Sequence, residues 1–234
     1  MKLAVLQSNY IPWKGYFDII HNVDLFLFYD EVSYTKNDWR NRNQILTEKG
    51  KQWLTVPVHG STTLPIQNIQ IVEGRWQRQH YQALVTNYAK APFFAQYRDF
   101  IEDIYLNRKW KSLSDLNQTL IQKISRDFLG IRTEFGRSSD YSSSGSGHQK
   151  LLSLVKAVGA DSYLSGPAAR EYIHSDDYEE AGIQLEWMDY SGYPEYNQLF
   201  QPFQHQVSIL DLLFNTGERA SEYIWGWRSK TQAI

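Results

Sequence analysis

The first residues that could do chemistry follow a short apolar stretch, residues 2–7, which the pattern predicts to be a buried strand. In open α/β sheets, ligands bind at the carboxyl ends of the strands, where backbone amides that begin a helix face an anion. Gly15, before a predicted helix at 17–22, would allow close approach. The alternative is a tightly packed aromatic turn. The side chains expected to contact a ligand are Gln7, Asn9, Tyr10, Trp13 and Lys14.

Two carboxylates, Asp30 and Glu31, end a second apolar stretch, residues 24–29, which is apolar on both faces as central parallel strands are. If the two strands are neighbours, these carboxylates lie beside the first loop. There they could bind a metal ion, hold a ribose hydroxyl or act as a base. Otherwise they cap a helix or lie in a solvated loop. Asp30 is preferred because it directly ends the apolar stretch.

A cationic segment follows at residues 38–42, Asp-Trp-Arg-Asn-Arg. Arg40 and Arg42 are two positions apart, so on a strand their side chains share a face while Asn41 points the other way. Paired guanidiniums suit a phosphate or carboxylate, through two parallel hydrogen bonds each. Stacking on Trp39 would instead suit nucleic acid. The third possibility is a pair of exposed arginines on an edge strand.

A second strand–turn–helix corner is predicted at residues 161–173. Here Ser165 and Gly166 precede a proline that suits the first position of a helix and leaves free amides on the residues after it. With Arg170, these groups would form another anion site. The alternative is an ordinary strand–helix junction with Arg170 in a surface salt bridge.

A long aromatic loop is predicted at residues 189–205. Its tyrosines suggest a platform for a sugar or a base, and Tyr193 and Tyr196 are the candidates. The alternative is an aromatic lid that only packs. Asp211 and Asn215 lie four positions apart on one face of a following helix and are expected to anchor a neighbouring loop.

Composition excludes several kinds of site. The 234 residues include no cysteine, which excludes disulfides, thiolate nucleophiles and iron–sulfur clusters. The 6 histidines include no pair at zinc-ligand spacing, so no metal site is predicted. A net charge of −2 argues against nucleic acid as a partner. No stretch is apolar enough for a signal peptide or a membrane span, so we expect a cytoplasmic protein without membrane insertion; its oligomeric state is left open.

The elements that must position these residues alternate as strand and helix at both ends of the chain. This pattern favours an α/β fold with an open, mainly parallel sheet and flanking helices. A helical insert is expected at about 75–130, and the Ser/Gly-rich residues 138–147 are expected to form a flexible loop. We expect a single domain, 1–234. Apolar residues at helical spacing predict the insert's helices at 75–90, 92–106 and 114–129.

Four ordered motifs resemble the signatures of the WbqC-like family. The first begins Gln-Ser-Asn-Tyr-Ile-Pro-Trp-Lys-Gly, and the third reads Tyr-Leu-Ser-Gly-Pro-Ala. The resemblance runs from Leu3 to about Gly217 and departs from the common pattern at Ser8, where the family has proline. The motifs occupy residues 7–17, 38–42, 163–168 and 208–215.

The resemblance implies a bacterial protein of O-antigen, lipopolysaccharide or other surface-polysaccharide biosynthesis. The implied reaction is aminoacyl (glycyl) or acyl transfer to the amine of a nucleotide-linked amino sugar. In such a transferase Asp30 would act as base or orient a ribose, while Asn9 and Gln7 would hydrogen-bond the reacting group. Phosphates or a carboxylate would be held by Arg40, Arg42 and Arg170, and the ring would be covered by Tyr193 and Tyr196.

A weaker resemblance concerns the fold alone. The order of strand, Pro/Gly loop, helix and strand is similar to that of HIGH-type nucleotidyltransferases, which adenylate a carboxylate with ATP before an amine attacks. Trp13, Lys14 and Gly15 stand where those enzymes have their paired histidines. ATP or another activated acyl donor therefore stays open as a cosubstrate. A non-catalytic nucleotide-sugar-binding partner protein and an ATP-using nucleotidyltransferase or ligase are the alternative functions.

Overall fold

The computed structural model describes residues 1–60 and 62–231. The strands are β1 (Lys2–Leu6), β2 (Leu25–Phe28), β3 (Arg42–Thr47), β4 (Gly50–Thr55), β5 (Val58–His59), β6 (Gln70–Ile71), β7 (Glu134–Arg137), β8 (Ser162–Ser165) and β9 (Gln184–Trp187). The α-helices are α1 (Lys14–His21), α2 (Trp76–Tyr88), α3 (Arg98–Glu102), α4 (Leu113–Lys123), α5 (Gly147–Val158), α6 (Ser175–Glu180), α7 (Ile209–Thr216) and α8 (Gly226–Thr231).

Five of these strands form one parallel sheet in the order β7-β2-β1-β8-β9. Counted along the chain, its strands therefore lie in the order 3-2-1-4-5. The winding starts at β1, proceeds outward through β2 to β7, and then crosses to β8 on the other side of β1. The predicted open α/β fold is confirmed, and its direction of winding reverses between β1 and β8.

Alternate side chains of the central strands enter two apolar cores, one on each face of the sheet. On β2, Phe26 and Phe28 belong to the larger core, whereas Leu25 and Leu27 belong to the smaller one. Helices α1, α2, α4 and α7 contribute to the larger core, and α5 covers the smaller. All four β2 residues are buried, which explains why this strand has no polar face.

Apolar side chains at helical spacing in residues 148–158, followed by Gly159, predict an amphipathic helix, and α5 matches this prediction. Its apolar positions bury Leu151, Leu152 and Val155 against the sheet. The helix ends at Gly159, whose φ of 74° lies in the left-handed region that favours glycine. The opposite end of α5, where the helix begins, lies at the edge of the sheet at which the parallel strands end.

The middle of the chain is helical, but its helices are shorter than the apolar spacing predicts. The expected helix at 92–106 is divided into a 3-10 turn (Phe94–Tyr97), α3 and a π-helical turn (Asp103–Asn107). The Phe93 amide donates to the Phe214 carbonyl at 3.0 Å, so contact with α7 holds the chain out of a regular helix here. Residues 114–129 likewise form α4 followed by a π-helical turn, Ile124–Phe128.

Several boundaries and elements escape the sequence pattern. Helix α1 begins at Lys14 rather than at residue 17, and the pattern does not indicate α6 or α8. Residues 138–147 begin with a 3-10 turn, Ser138–Asp140, and lead directly into α5. Within residues 1–60 and 62–231, no helix is both long and apolar enough to cross a membrane.

Candidate functional site

A cavity of about 580 Å³ opens where the winding of the sheet reverses. The ends of β1, β2 and β8 form its walls together with the start of α5. We call it the switch-point cavity. In doubly wound sheets this is the position at which ligands bind, because the loops on the two sides of the reversal diverge and leave a crevice. Its polar lining includes Gln7, Glu31, Ser33, Ser146, Lys150 and Ser165.

The first turn of α5 supplies an anion-binding end to this cavity. Gly145, Ser146 and Gly147 lie in its wall. The first amides of a helix have no partner within the helix, and here the Ser146 side chain makes no capping hydrogen bond to them. Both glycines have positive φ, 90° and 51°, so glycine suits each position sterically. Free amides at the positive end of a 12-residue helix attract phosphate or carboxylate.

An ion pair crosses the cavity wall. The Lys150 Nζ, on α5, lies 3.4 Å from Oε1 of Glu31, which follows β2. That oxygen is buried and has no hydrogen-bond partner among the described residues. Burial and the nearby Glu31 raise the pKa of Tyr29 to about 12, so its hydroxyl stays protonated and can donate. The wall thus offers a cation, a carboxylate and a hydroxyl donor to one ligand.

Arg40 joins the first two predicted motifs. Its guanidinium donates to Oε1 of Gln7 and, at 3.0 Å, to Oδ1 of Asn9. Asp38 lies 3.6 Å away. The Arg40 Nε is buried without a hydrogen-bond partner among the described residues. Gln7 faces the switch-point cavity, so the sequence-predicted groups Gln7, Asn9 and Arg40 form one hydrogen-bonded cluster at its edge.

A second, smaller pocket of about 220 Å³ lies on the other side of Asn9. We call it the indole pocket. Trp13 forms one wall by lying across Gly15, where a Cβ atom would overlap the indole. Gly15 therefore allows the close approach of Trp13, rather than of an anion, to the start of α1. The pocket is lined by Asn9, Pro12, Trp13, Trp39, Asn43 and Gln206.

Tyr10 and Asp30 lie in the protein interior. The Tyr10 hydroxyl bonds to Nδ1 of His80 at 2.8 Å and to the Tyr105 hydroxyl at 2.5 Å, beneath the loop. Asp30 accepts hydrogen bonds from the Ser8 amide, 2.8 Å, and from the Ser114 hydroxyl, 2.5 Å. Gln118 donates to it as well, at 3.0 Å. Asp30 thus ties the first loop to α4 and faces a small polar cavity separate from the switch-point cavity.

The predicted aromatic platform is turned inward and forms a box around Lys14. The Lys14 Nζ lies 4.8 Å and 5.5 Å from the ring centres of Tyr193 and Tyr196 and donates to the Pro194 carbonyl at 3.3 Å. Burial lowers the pKa of Lys14 to about 8, against the opposing effect of nearby carboxylates.

The tyrosine hydroxyls of this box bind buried carboxylates. Tyr193 donates to Asp18 at 2.5 Å and Tyr196 to Asp211 at 2.7 Å. Burial and the adjacent carboxylates raise the pKa of both tyrosines well above the usual range. Asp211 therefore anchors the aromatic loop, as the spacing with Asn215 predicts.

The two arginines of the cationic segment diverge, because Arg40 precedes β3 and only Arg42 lies on it. Arg42 stacks on Trp53 at 4.3 Å and donates to the Asn37 carbonyl. Asn41 is buried and donates to the Val56 carbonyl at 2.9 Å. Arg170 is exposed and lies 5.1 Å from the Trp187 ring, outside the switch-point cavity.

The corner after β8 does reach the cavity. Ser165 and Gly166 lie in its wall, beside Gln7 from the end of β1. Sequence reasoning did not identify Lys150 or the amides at the start of α5 as site residues. A Ser-Gly-Ser-Gly run before an amphipathic helix is nevertheless a usable signal for an anion site. Sequence reasoning also preferred Asp30 to Glu31, and nothing in the local pattern identifies Gln206.

Comparison with known proteins gives three findings. Residues 7–223 match the WbqC-like protein family. The chain is 44% identical over 225 residues to "Uncharacterized protein Rv1507c" of Mycobacterium tuberculosis (strain ATCC 25618 / H37Rv), an alignment that covers 95% of this chain and 97% of that protein. No solved structure matches the chain.

Proposed function

Because the chain belongs to the WbqC-like protein family, we propose that it is a transferase of surface-polysaccharide (O-antigen) biosynthesis that binds a nucleotide-linked amino sugar in the switch-point cavity. The observation that carries this proposal is the meeting of uncapped α5 amides and Lys150 with the ends of β1 and β8. A cavity at the reversal of a 3-2-1-4-5 sheet is well suited to a nucleotide.

The nucleotide's charges match the cavity. Its diphosphate lies against the first turn of α5, where Lys150 adds a positive charge. Glu31, following the second strand of the sheet, accepts hydrogen bonds from ribose hydroxyls. Gln7, Ser165 and Gly166 line the remaining wall, and Arg40 holds Gln7 in position.

The transfer joins the sugar amine to an activated acyl group. The amine nitrogen attacks the acyl carbonyl carbon, an amide C–N bond forms, and the bond from that carbon to the donor's oxygen or sulfur breaks. The amine proton leaves with the departing group, directly or through water. The chain has no cysteine, so the acyl group is not carried as a thioester on the protein. Catalysis then rests on positioning the two substrates and on charge stabilisation by Arg40.

Calorimetry with UDP and with UDP-glucosamine tests the binding step. Lys150→Met removes the cation from the cavity, whereas Lys156→Met removes an exposed lysine from the far end of the same helix. We expect binding of both ligands to the first variant to be weaker by roughly 10- to 100-fold, since a charge-assisted contact contributes about 1.5–3 kcal/mol, and binding to the second to be unchanged. Equal affinities in all three proteins would contradict the proposed site.

Mass spectrometry of UDP-glucosamine incubated with glycine and ATP, or with activated acyl donors, tests the transfer. An amide product of the sugar amine supports the transferase. Binding without any product would favour the second candidate, a non-catalytic nucleotide-sugar-binding protein, which the same cavity supports equally well.

A further inference from the structure

The indole pocket is a second concave site that the nucleotide does not fill. Its outer wall is the Trp39 side chain, which is 43% exposed although tryptophan is usually well buried. Its inner wall is Trp13. Two indoles around an open pocket of about 220 Å³ provide flat apolar faces with room for one ring-sized group.

Both indoles are held in place by contacts within the protein. Trp13 packs edge-on against Tyr190 and Tyr193, with ring centres 5.2 and 5.9 Å apart. The Trp39 carbonyl accepts a hydrogen bond from the Tyr10 amide at 2.9 Å, and its ring lies 5.5 Å from that of Trp53. A ligand entering the pocket therefore need not order the walls, which lowers the cost of binding.

The loop that carries Trp13 is also held in a costly conformation. Ile11 has a φ of 35°, in the left-handed region that a β-branched residue rarely adopts. The Asn43 side chain fixes this backbone by donating to the Tyr10 and Ile11 carbonyls at 3.1 and 2.9 Å. Such over-determined strain is concentrated at ligand sites.

The polar groups that remain available in the pocket are neutral amides. Asn9 uses Oδ1 to accept from Arg40, and no described residue accepts from its Nδ2. Gln206 is exposed and has no hydrogen-bond partner among the described residues. Flat aromatic faces with uncharged donors and acceptors at the rim match a pyranose, whose C–H face is apolar and whose hydroxyls lie at its edge.

Arg40 places this pocket next to the nucleotide. Its guanidinium bonds to Gln7 in the wall of the switch-point cavity and to Asn9 in the wall of the indole pocket. We infer that the indole pocket binds the sugar ring of the nucleotide-linked sugar, stacked on Trp39 and hydrogen-bonded by Asn9 and Gln206. This inference rests on the proposed function and assigns the sugar end of its substrate.

Paired calorimetry with UDP and UDP-glucosamine separates the two sites. We expect Trp39→Ala to weaken UDP-glucosamine binding roughly tenfold, because the apolar face of the sugar loses its contact with the indole, and to leave UDP binding unchanged, whereas Lys150→Met weakens both. Leu106→Ala is the control, because it truncates an equally exposed apolar side chain outside the indole pocket. Circular dichroism confirms that each variant is folded.

Each other outcome is decisive. An equal loss for both ligands in Trp39→Ala would place the nucleobase on this ring and overturn the inference, as would no loss for either. If Lys150→Met leaves UDP binding intact while Trp39→Ala selectively weakens the sugar conjugate, the nucleotide site fails and the sugar pocket stands.

Two further measurements test the pocket directly. Asn9→Asp keeps the acceptor for Arg40 but removes the free amide donor. We therefore expect weaker binding of UDP-glucosamine and unchanged binding of UDP. Saturation-transfer NMR with methyl β-D-glucosaminide examines the pocket without any nucleotide. Ring protons that receive saturation from the wild type but not from Trp39→Ala support the assignment; identical spectra from the two proteins contradict it.

Discussion

At the scale of single residues, Lys14 is the clearest case of a charged side chain whose burial disfavours its charge. The residue is 3% exposed, and its ammonium group lies between two tyrosine rings. Burial lowers its pKa from 10.5 to about 8, so the folded protein binds this proton less tightly than the unfolded chain does. Between pH 8 and 10 the unfolded chain therefore carries the extra proton, and stability rises with pH through this group.

This titration predicts a pH-dependent difference between the wild type and Lys14→Met. From pH 7.5 to 9.5, the free energy of unfolding of the wild type should increase relative to that of the variant by about 2 kcal/mol. Urea denaturation at the two pH values measures it. The buried tyrosines are present in both proteins and cancel in the comparison. A difference that is constant with pH would show that the Lys14 proton is held normally.

Asp30 yields a second residue-scale prediction. Its carboxylate accepts from the Ser8 amide, the Ser114 hydroxyl and Gln118 in a buried setting. Asp30→Asn replaces one acceptor by a donor, so we expect the free energy of unfolding to fall by about 2 kcal/mol. Chemical denaturation provides the measurement and exposed Asp115→Asn the control. Equal stability of the two variants would contradict the bracing role of Asp30.

At the scale of elements, α5 begins and ends at left-handed glycines with different surroundings. Gly147, with φ 51°, lies in the wall of the switch-point cavity, whereas Gly159, with φ 74°, lies at the far end of the helix. A Cβ atom at either position would meet no neighbour within 4 Å. Substitution therefore changes the backbone preference without a clash.

Gly147→Ala and Gly159→Ala form a matched pair. Each should lower the free energy of unfolding by about 1 kcal/mol, because alanine disfavours the left-handed conformation. Only Gly147→Ala should also weaken UDP binding, since it disturbs the amides at the start of α5. Thermal unfolding and calorimetry on both variants measure these effects. Equal UDP affinities for the two variants would indicate that the start of α5 does not bind the phosphates.

The secondary-structure elements also show which features of the fold can be predicted from the local sequence pattern. The apolar runs of β1 and β2 and the amphipathic spacing of α5 are visible in the sequence because each depends on side chains within the element itself. The interrupted helix after residue 92 is not, since the Phe93 amide bonds to a carbonyl of α7. Helix α1 likewise begins earlier than the pattern indicates, at Lys14, where the Trp13 ring lies across Gly15.

At the scale of the whole molecule, the switch-point cavity arises from strand order. Leu3 pairs with Leu25 on one side and with Tyr163 on the other. No local signal specifies that β8 lies beside β1, so sequence could name Gln7, Ser165 and Gly166 but not show that they share a wall. For the same reason, the sequence does not indicate that Lys150 and Glu31 form an ion pair.

An ion pair between Arg228 and Asp18 attaches the C-terminal helix α8 to α1. Arg228 donates to both carboxylate oxygens of Asp18, at 2.9 and 2.7 Å, and Asp18 is fully buried. Arg228→Ala removes the cation beside this carboxylate and leaves it with the hydrogen bonds from Tyr193 and Asn22, so we expect a loss of about 2 kcal/mol in unfolding free energy. Arg219→Ala, which breaks an exposed pair with Glu222, should leave stability unchanged. Urea denaturation compares them, and equivalent curves would refute the stabilising role of Arg228.

The indole of Trp13 resting on Gly15 has an evolutionary consequence. Any larger residue at position 15 would push the ring aside and thereby reshape the indole pocket, although position 15 itself does not line it. Selection for ligand capture would then treat this glycine as strictly as the tryptophan above it. A substitution map scored by function would mark the pair as a unit, even though only Trp13 lines the indole pocket.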